Sequence, residues 1–171
     1  MPMLLVLLLL TLASGCRVMD NRSLEIPDPE PGVTQTLAEE RARAIQGLSY
    51  DLVFTIPSNP ASPITAHEII RFSAKDLAQP IILDFTPAAD HLKSIKVGGK
   101  PSHFRVVQDH ILIPREEIAD GDNTIEIEFV AGDAALNRNP DFMYTLFVPS
   151  RARTAFPCFD QPNLKARLPS N

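Results

Sequence analysis

The chain has 171 residues, room for one domain of ordinary size, and its 44% hydrophobic and 22% charged residues are globular rather than disordered. The formal net charge of −5, without any basic cluster, argues against a nucleic-acid-binding surface, so no nucleic-acid partner is expected. Sixteen prolines against seven glycines fall mostly between hydrophobic runs, which is typical of a β-protein with many strand ends.

The N-terminus has the pattern of an export signal. Residues 4–12 are an apolar run of signal-peptide length, too short to span a bilayer. The letters L-A-S-G-C follow and end at Cys16, which resembles a bacterial lipobox whose cysteine is lipidated. We therefore predict a lipoprotein signal peptide over residues 1–15, lipid attachment at Cys16, and a membrane-anchored location in the bacterial cell envelope, on its periplasmic or extracellular face. An ordinary signal peptide with a chance cysteine is the alternative.

Two segments follow the predicted anchor. Residues 16–33 contain P-D-P-E-P-G and little periodicity, and they are predicted to be a tether. Residues 34–171 are predicted to be one β-domain that begins with a short helix. Thr36 and Glu39 predict its capping box and Gly47 its C-terminal glycine. One helical face combines Leu37, Arg41, Ile45 and Leu48.

The rest of the domain has the alternation and turn spacing of β-strands. The predicted strands cover residues 48–56, 64–73, 81–85, 92–97, 104–107, 110–113, 124–130 and 142–148. Residues 131–141 are predicted to be a polar loop, and 142–148 a buried strand that ends at Pro149. About eight short strands without a second helical pattern predict an all-β sandwich or saddle.

The histidines do not form a metal site in the sequence. His67 and Glu68 begin like H-E-x-x-H, but the fifth residue is Arg71 and the local pattern is that of a strand. We expect an exposed His67 beside a partly buried Glu68 on the opposite face. The other three histidines, which lie in or beside turns, are expected to face solvent: His91, His103 and His110.

No catalytic motif is present in the sequence. There is no G-x-S-x-G, no P-loop and no glycine-rich dinucleotide turn. Cys158 lies between Pro157 and Phe159 and is predicted to be an inert buried thiol. With Cys16 lipidated it is the one remaining thiol, so no intrachain disulfide is expected.

The order of residues 152–167 is more informative than their composition. They read A-R-T-A-F-P-C-F-D-Q-P-N-L-K-A-R, which closely resembles a signature of the zinc aminopeptidase family that includes membrane alanyl aminopeptidase and leukotriene hydrolase. The positions that carry the resemblance, with a structural role, are Ala152, Arg153, Phe156, Pro157, Cys158, Phe159, Asp160, Gln161, Pro162, Leu164, Lys165 and Ala166. From about Leu37 onward the rest of the chain resembles that family only loosely.

The resemblance implies the non-catalytic N-terminal domain of an enzyme that removes N-terminal residues from peptides. It implies no catalytic or zinc-binding residue and no cofactor in this chain, because the family's H-E-x-x-H zinc ligands lie downstream. In the family a Gln or Glu that holds the substrate's amine precedes the signature, and the matching residue here is Val148, which cannot do so. No substrate-binding residue is therefore assigned.

In that family, further strands follow the signature. We therefore expect an open sheet edge in this chain, and exposure of apolar side chains such as Phe156, Phe159 and Leu164. The alternative to an aminopeptidase fragment is a self-contained exported β-domain that binds a peptide or protein partner.

Overall fold

The computed structural model describes residues 27–139 and 141–167 of the protein. The predicted signal peptide, Cys16, the first part of the tether and the last four residues lie outside these ranges. Within them, no helix is both long and apolar enough to cross a membrane.

The described residues form one α-helix and ten strands, which confirms the predicted mainly β fold with a single short helix. The elements are α1 (Gln35–Ala44), β1 (Ile45–Thr55), β2 (Thr65–Ala74), β3 (Ile81–Asp84), β4 (Leu92–Val97), β5 (Lys100–Pro101), β6 (Arg105–Val107), β7 (His110–Ile113), β8 (Gly121–Val130), β9 (Leu136–Arg138) and β10 (Met143–Thr145). Three short 3-10 turns cover Ala89–His91, Arg115–Glu117 and Ala152–Thr154.

The strands form three sheets in which all paired strands are antiparallel. The largest sheet has the order β1-β2-β8-β4-β5, the second has β3-β7-β6, and β9 and β10 form a separate hairpin. Phe85, directly after β3, meets Phe129 of β8 edge to face, with ring centroids 5.7 Å apart. The five-stranded and three-stranded sheets therefore enclose a common core.

The period-two pattern of the sequence correctly predicts which side chains are buried in the central strands. In β2 the buried side chains are Ala66, Glu68, Ile70, Phe72 and Ala74, and in β8 they are Asn123, Ile125, Ile127 and Phe129. All four residues of β7, His110–Ile113, are buried, so this short strand lies in the centre of the fold.

The helix lies earlier in the chain than the sequence indicates. Its N-cap is Thr34, whose hydroxyl accepts a hydrogen bond from the Leu37 amide at 3.2 Å, so the predicted capping box at Thr36 and Glu39 is wrong. The helix ends at Ala44, because the backbone at Ile45 is already extended and begins β1.

Gly47 is a bulge residue of β1 and not the predicted helix cap. It has a φ of +62°, and the pairing of β1 with β2 shifts register between Gln46 and Ser49. A glycine is suited to this place because a left-handed backbone is strained for residues with a Cβ. Ile45 and Leu48 are nevertheless buried, so the apolar pattern identified core residues. It assigned Ile45 to the helix rather than to β1, whereas Leu48 lies in the strand that was predicted to begin there.

The prediction of a buried strand over residues 142–148 is wrong. Only Met143–Thr145 form a strand, β10, and it pairs with β9 in a two-stranded sheet. β9 itself lies inside the segment that was predicted to be a polar loop. Five of the six large apolar side chains in residues 142–148 are exposed, by 61% for Phe142, 38% for Met143, 53% for Tyr144, 43% for Leu146 and 71% for Val148, while Phe147 is partly buried. We call these five residues the apolar row.

Arg138 holds the β9–β10 hairpin against the loop that follows β1. Its guanidinium donates to three backbone carbonyls, those of Ser62 at 2.9 Å, Asn59 at 3.1 Å and Pro57 at 3.2 Å. The apolar row is therefore exposed on a hairpin that is attached to the rest of the fold.

Candidate functional site: a buried charge cluster beneath the C-terminal segment

An arginine and an aspartate form a bidentate ion pair inside the protein. Arg41 extends from α1, and its two terminal nitrogens donate to the carboxylate oxygens of Asp84 at 2.7 and 2.9 Å. The two side chains are 4% and 0% exposed. Arg41 also donates to the carbonyl of Ile82 at 2.6 Å and to the side-chain oxygen of Gln161 at 3.3 Å. The guanidinium thus joins the helix to the end of β3 and to the C-terminal segment.

His110 of β7 is the third member of this cluster. Its Nδ1 lies 3.0 Å from a carboxylate oxygen of Asp84, and its Nε2 lies 3.0 Å from the carbonyl oxygen of Glu30. Both neighbours are acceptors, so a doubly protonated ring suits this position best. The side chain is fully buried, which shows that the expected solvent-facing His110 is wrong. We call Arg41, Asp84 and His110 the charge cluster.

Within the cluster, the pKa values of Asp84 and His110 shift in opposite directions. Burial alone raises the pKa of Asp84, but hydrogen bonds from His110 and Arg41 lower it more, so its net pKa is below the usual value. Burial alone lowers the pKa of His110, but the bonds to Asp84 and to the Glu30 carbonyl raise it more, so its net pKa is above the usual value. Each group therefore favours the charged form of the other.

The signature segment, residues 152–167, is fastened to this cluster through its backbone. Asp84 and Cys158 exchange two backbone hydrogen bonds, of 2.7 and 3.1 Å, in an isolated antiparallel bridge. The amide of Asp160 donates to the Asp84 carboxylate at 2.9 Å, and the amide of Phe159 donates to the Tyr50 hydroxyl at 3.0 Å. Cys158, Phe159 and Asp160 of the signature segment thus form the hydrogen bonds that attach this segment to the core.

Aromatic contacts attach the same segment to the five-stranded sheet, to α1 and to the segment that follows β10. The Phe159 ring lies under the Arg41 guanidinium, 5.4 Å from its carbon, and meets Phe72 of β2 edge to face. Phe156 contacts the rings of Tyr50, Phe54 and Phe147. The expected exposure of Phe159 is wrong, since it is 5% exposed, while Phe156 and Leu164 are partly buried.

Two other signature residues, Arg153 and Gln161, make polar contacts that hold the segment in place. Arg153 contacts the Asp160 carboxylate through its side chain at 3.4 Å and through its amide at 3.3 Å. The side-chain amide of Gln161 donates to the Ala38 carbonyl of α1 at 3.0 Å. Burial, and next the charge of Asp160, raise the pKa of the Cys158 thiol well above its usual value, so the buried thiol stays neutral.

Glu68 lies in the core without a hydrogen-bond partner. The side chain of this β2 residue is fully buried, and neither carboxylate oxygen has a partner among the described residues. Burial raises the pKa of Glu68 well above its usual value, which favours the neutral acid. As the strand pattern predicts, His67 is exposed and Glu68 points to the opposite face, although Glu68 is fully rather than partly buried.

The remaining histidines are isolated from one another. His103 is exposed and contacts the Glu117 carboxylate at 3.0 Å. His91 is half-buried, not solvent-facing, and its Nδ1 lies 2.9 Å from the Val130 carbonyl. Among residues 27–139 and 141–167, no group of three or more His, Cys, Asp or Glu side chains could hold a metal ion. The described residues therefore do not fit a zinc site.

The sequence contains an indication of the Arg41–Asp84 pair that hydrophobic periodicity alone does not reveal. Arg41 stands on the apolar helix face, and Asp84 follows directly on a buried apolar run in β3. A charged residue in each of two core-facing positions, with opposite signs, is a reason to expect an internal pair. Nothing in the sequence indicates that His110 and the signature segment would join them.

Comparison with known proteins identifies the fold. No model of a protein family matches the sequence, and no curated protein matches it. The chain superposes on native leukotriene A4 hydrolase from Saccharomyces cerevisiae with a TM-score of 0.61 at 18% identity, covering 74% of this chain and 23% of that one. It superposes on an M1 zinc metallopeptidase mutant from Deinococcus radiodurans with a TM-score of 0.57 at 16% identity, covering 74% and 31%. A third match is a two-domain M1 zinc metallopeptidase mutant bound to L-tryptophan, with a TM-score of 0.54 at 18% identity, covering 74% and 32%.

These matches define a class of fold. The chain has a β-fold that zinc aminopeptidases of this type contain as one part of their structure. It spans about a quarter to a third of the length of the proteins it matches, from 23% to 32% in these three. At such low identity the likeness establishes the fold and leaves the activity to be argued from the residues.

Replacing Asp84 by Asn should be strongly destabilising. The variant keeps the shape of the side chain but leaves the buried Arg41 guanidinium without a counter-charge, and breaking a buried pair in this way costs about 3–5 kcal/mol. The unfolding free energy from urea denaturation would measure the loss. The matched control is Asp120→Asn, which removes a surface contact to Arg115 in which Asp120 is 76% exposed. It should change stability by less than about 0.5 kcal/mol, and equal losses in both variants would contradict the role of the cluster.

Replacing Glu68 by Gln should change how stability depends on pH. Because the pKa of Glu68 is raised, the folded protein keeps a proton that the unfolded chain loses above its ordinary pKa of about 4.5. The stability of the native protein therefore falls as pH rises from that value towards the folded pKa, and Glu68→Gln lacks this loss. The unfolding free energy of the variant, minus that of the native protein, should increase between pH 4.5 and pH 8.

Glu117→Gln is the control for this pH series. Burial by itself raises the pKa of Glu117, but the nearby Ser102 hydroxyl and the hydrogen bonds with His103 together outweigh it, so the net pKa is lowered. Its contribution to stability is therefore fully present above its ordinary pKa of about 4.5 and is lost only as pH falls below that value. The stability difference for Glu117→Gln should thus stay nearly constant between pH 4.5 and pH 8 and change only below pH 4.5. Parallel curves for Glu68→Gln and the native protein would show that Glu68 is ionised in the fold.

Proposed function

We propose that the chain is the non-catalytic N-terminal β-domain of an exported zinc-dependent aminopeptidase that removes N-terminal residues from peptides. The observation that carries this proposal is the position of the signature segment. The residues that resemble the family are the ones that bind Asp84, Tyr50 and Ala38, and they do so in a fold that also occurs in zinc aminopeptidases. Sequence motif and fold thus support the same function.

The exposure of the apolar row indicates that another protein or domain covers this surface in the proposed enzyme. Five large apolar side chains exposed on one hairpin and the segment after it are unusual for a free-standing protein, and such patches mark contacts with other proteins or domains. In the proposed enzyme, the catalytic domain covers this row. Val148, the most exposed member at 71%, is the position at which the resembled family has a Gln or Glu for the substrate's amine. Its aliphatic side chain offers no acceptor there, so the amine is held by another part of the enzyme.

Zinc belongs to the proposed enzyme but not to the described residues. The family's ligand set is an H-E-x-x-H with a downstream glutamate, and residues 27–139 and 141–167 contain no comparable group. The domain's own contribution is a rigid β-framework whose C-terminal segment is held by the charge cluster. The peptide substrates and the metal are thus assigned to the longer protein.

The coding sequence that follows the Asn171 codon tests the proposal. A continuation, in frame or shifted, that encodes H-E-x-x-H supports the aminopeptidase. Unrelated sequence would overturn it in favour of a self-contained exported β-domain that binds a peptide or protein partner.

The 171-residue chain on its own should neither bind zinc stoichiometrically nor cleave peptides. This expectation follows from the ligand set, since a zinc peptidase needs three protein ligands and an activated water. Zinc content after dialysis and hydrolysis of aminoacyl-nitroanilides would measure it. One zinc retained per chain, or turnover above the buffer rate, would be the contrary result.

Export and lipid anchoring are part of the proposal, and they rest on the lipobox at Cys16. Cys16→Ser should release the protein from membranes and abolish acyl labelling, because a thioether-linked lipid needs the thiol. The control is Cys158→Ala, which removes the buried thiol and should leave labelling unchanged. Membrane fractionation and labelling with a fatty-acid analogue would decide, and continued membrane association of Cys16→Ser would refute the anchor.

A further inference from the structure

The segment that precedes α1 is fixed to the domain by very few polar contacts. Residues 27–31, which belong to the predicted tether, lie against the first residue of β7, and we call them the N-terminal strap. Two polar contacts attach the strap to the rest of the described chain. The Glu30 carbonyl lies 3.0 Å from Nε2 of the buried His110, and the Asp28 carboxylate lies 3.3 Å from Arg105 of β6. The second contact is a surface ion pair with both side chains more than half exposed, so it holds the strap only weakly.

A groove lies beside the strap. It has a volume of about 440 Å³ and is lined by strap residues 27–30 and, from the domain, by side chains that include Leu37 of α1, Ile82 of β3 and Leu112 of β7. The space between strap and domain is therefore not filled by close packing, which is the usual source of stability in a protein interior. Attachment of the strap thus depends mainly on the contact with His110.

His110 can donate to both of its acceptors only while both ring nitrogens carry a proton. Nδ1 lies 3.0 Å from the Asp84 carboxylate, and Nε2 lies 3.0 Å from the Glu30 carbonyl. A neutral ring keeps one proton, and the charged carboxylate is the stronger of the two acceptors. The neutral ring therefore presents a lone pair to the Glu30 carbonyl, and the hydrogen bond that attaches the strap is lost.

We propose that the N-terminal strap is a pH-dependent latch, which is attached to the domain while His110 is doubly protonated and detaches when the ring loses one proton. The latch itself does not depend on the proposed function. In the proposed lipid-anchored protein, detachment adds residues 27–31 to the polypeptide between the anchor and the domain. It then extends the reach of the domain from the membrane by at most about 18 Å, the length of five extended residues.

The direction of the pH dependence follows from the contacts of His110. Burial lowers the pKa of His110, but the contacts with Asp84 and with the Glu30 carbonyl raise it more. Asp84 stays ionised, since its net pKa is below the usual value. The other charged groups on the elements that meet around the ring are Arg41 of α1, Arg105 of β6, Asp109 of the preceding turn and Asp160 of the signature segment. Because attachment raises the pKa of His110, the strap is attached below the ordinary histidine pKa of about 6.5 and detaches as pH rises through the raised value.

Tryptophan fluorescence of the full 171-residue chain tests the latch. The sequence contains no tryptophan, so Pro31→Trp, at an exposed position outside the lining of the groove, places a single reporter next to Glu30. A detached strap moves on the nanosecond timescale, so the rapidly decaying fraction of the fluorescence anisotropy should grow between about pH 5.5 and about pH 9.5. We expect the ratio of attached to detached strap to fall at least about tenfold, because a hydrogen bond from a charged donor contributes this much or more. An unchanged far-UV circular dichroism spectrum over the same range would show that the domain stays folded.

Two histidine variants in the Pro31→Trp background separate the latch from other effects of pH. His110→Gln keeps a side-chain donor that does not titrate, and it should abolish the pH dependence of the anisotropy. The matched control is His103→Gln, which replaces an exposed histidine that contacts Glu117 and should leave the pH dependence unchanged.

The ¹⁵N chemical shifts of the His110 ring give a second measurement that needs no substitution at this residue, and it applies even where His110→Gln does not fold. We expect Nε2 to lose its proton at the pH at which the reporter becomes mobile. Deprotonation of the ring without a gain in mobility would overturn the latch, as would a ring that stays doubly protonated up to about pH 9.5. A pH dependence that persists in His110→Gln would likewise refute it.

Discussion

Burying the guanidinium of Arg41 against the carboxylate of Asp84 removes two charges from water, which costs several kcal/mol per ion unless other partners complete their hydrogen bonding. The protein supplies those partners from separate parts of the chain. Arg41 donates a hydrogen bond to the Ile82 carbonyl. The Asp84 carboxylate accepts one from the Asp160 amide and contacts the His110 ring. Because each partner lies on a different element, the ion pair forms properly only when helix, strands and C-terminal segment are all in place. The pair therefore makes the position of the signature segment a condition of the fold rather than a result of surface packing.

Glu68 is a carboxyl group in the same core that has no hydrogen-bond partner among the described residues. Its carboxyl lies in the core with Tyr50 and Cys158 nearby, and the pKa values of all three groups are raised, first by burial. All three groups therefore favour their neutral forms. The core beneath the signature segment thus has two neighbouring regions, one held by paired charges and one kept uncharged. An acidic residue in the second region lowers stability at neutral pH, and the five-stranded sheet tolerates it because strong pairing surrounds β2 on both sides.

The sequence predicted those features that depend on near neighbours. Alternation in β2 and β8 identified their core faces, and the predicted neighbouring strands over residues 104–107 and 110–113 correspond to β6 and β7, which pair with each other. It failed where a distant part of the chain decides the outcome. His110 follows a turn and reads as a surface residue, yet Asp84 and Glu30, 26 and 80 positions earlier, enclose it. The buried ion pair itself spans 43 positions. Conversely, residues 142–148 have the composition of a core strand, but no sheet layer covers β10 in the described part of the chain.

The apolar row and the end of β1 are connected through contacts of the signature segment. Phe156 contacts both Phe54, near the end of β1, and Phe147, which directly precedes Val148 of the apolar row. Arg138 ties the β9–β10 hairpin to the loop after β1, where Val53 and Ile56 are 58% and 49% exposed. The end of β1 and the apolar row are therefore held at the same end of the molecule by contacts that the signature segment makes.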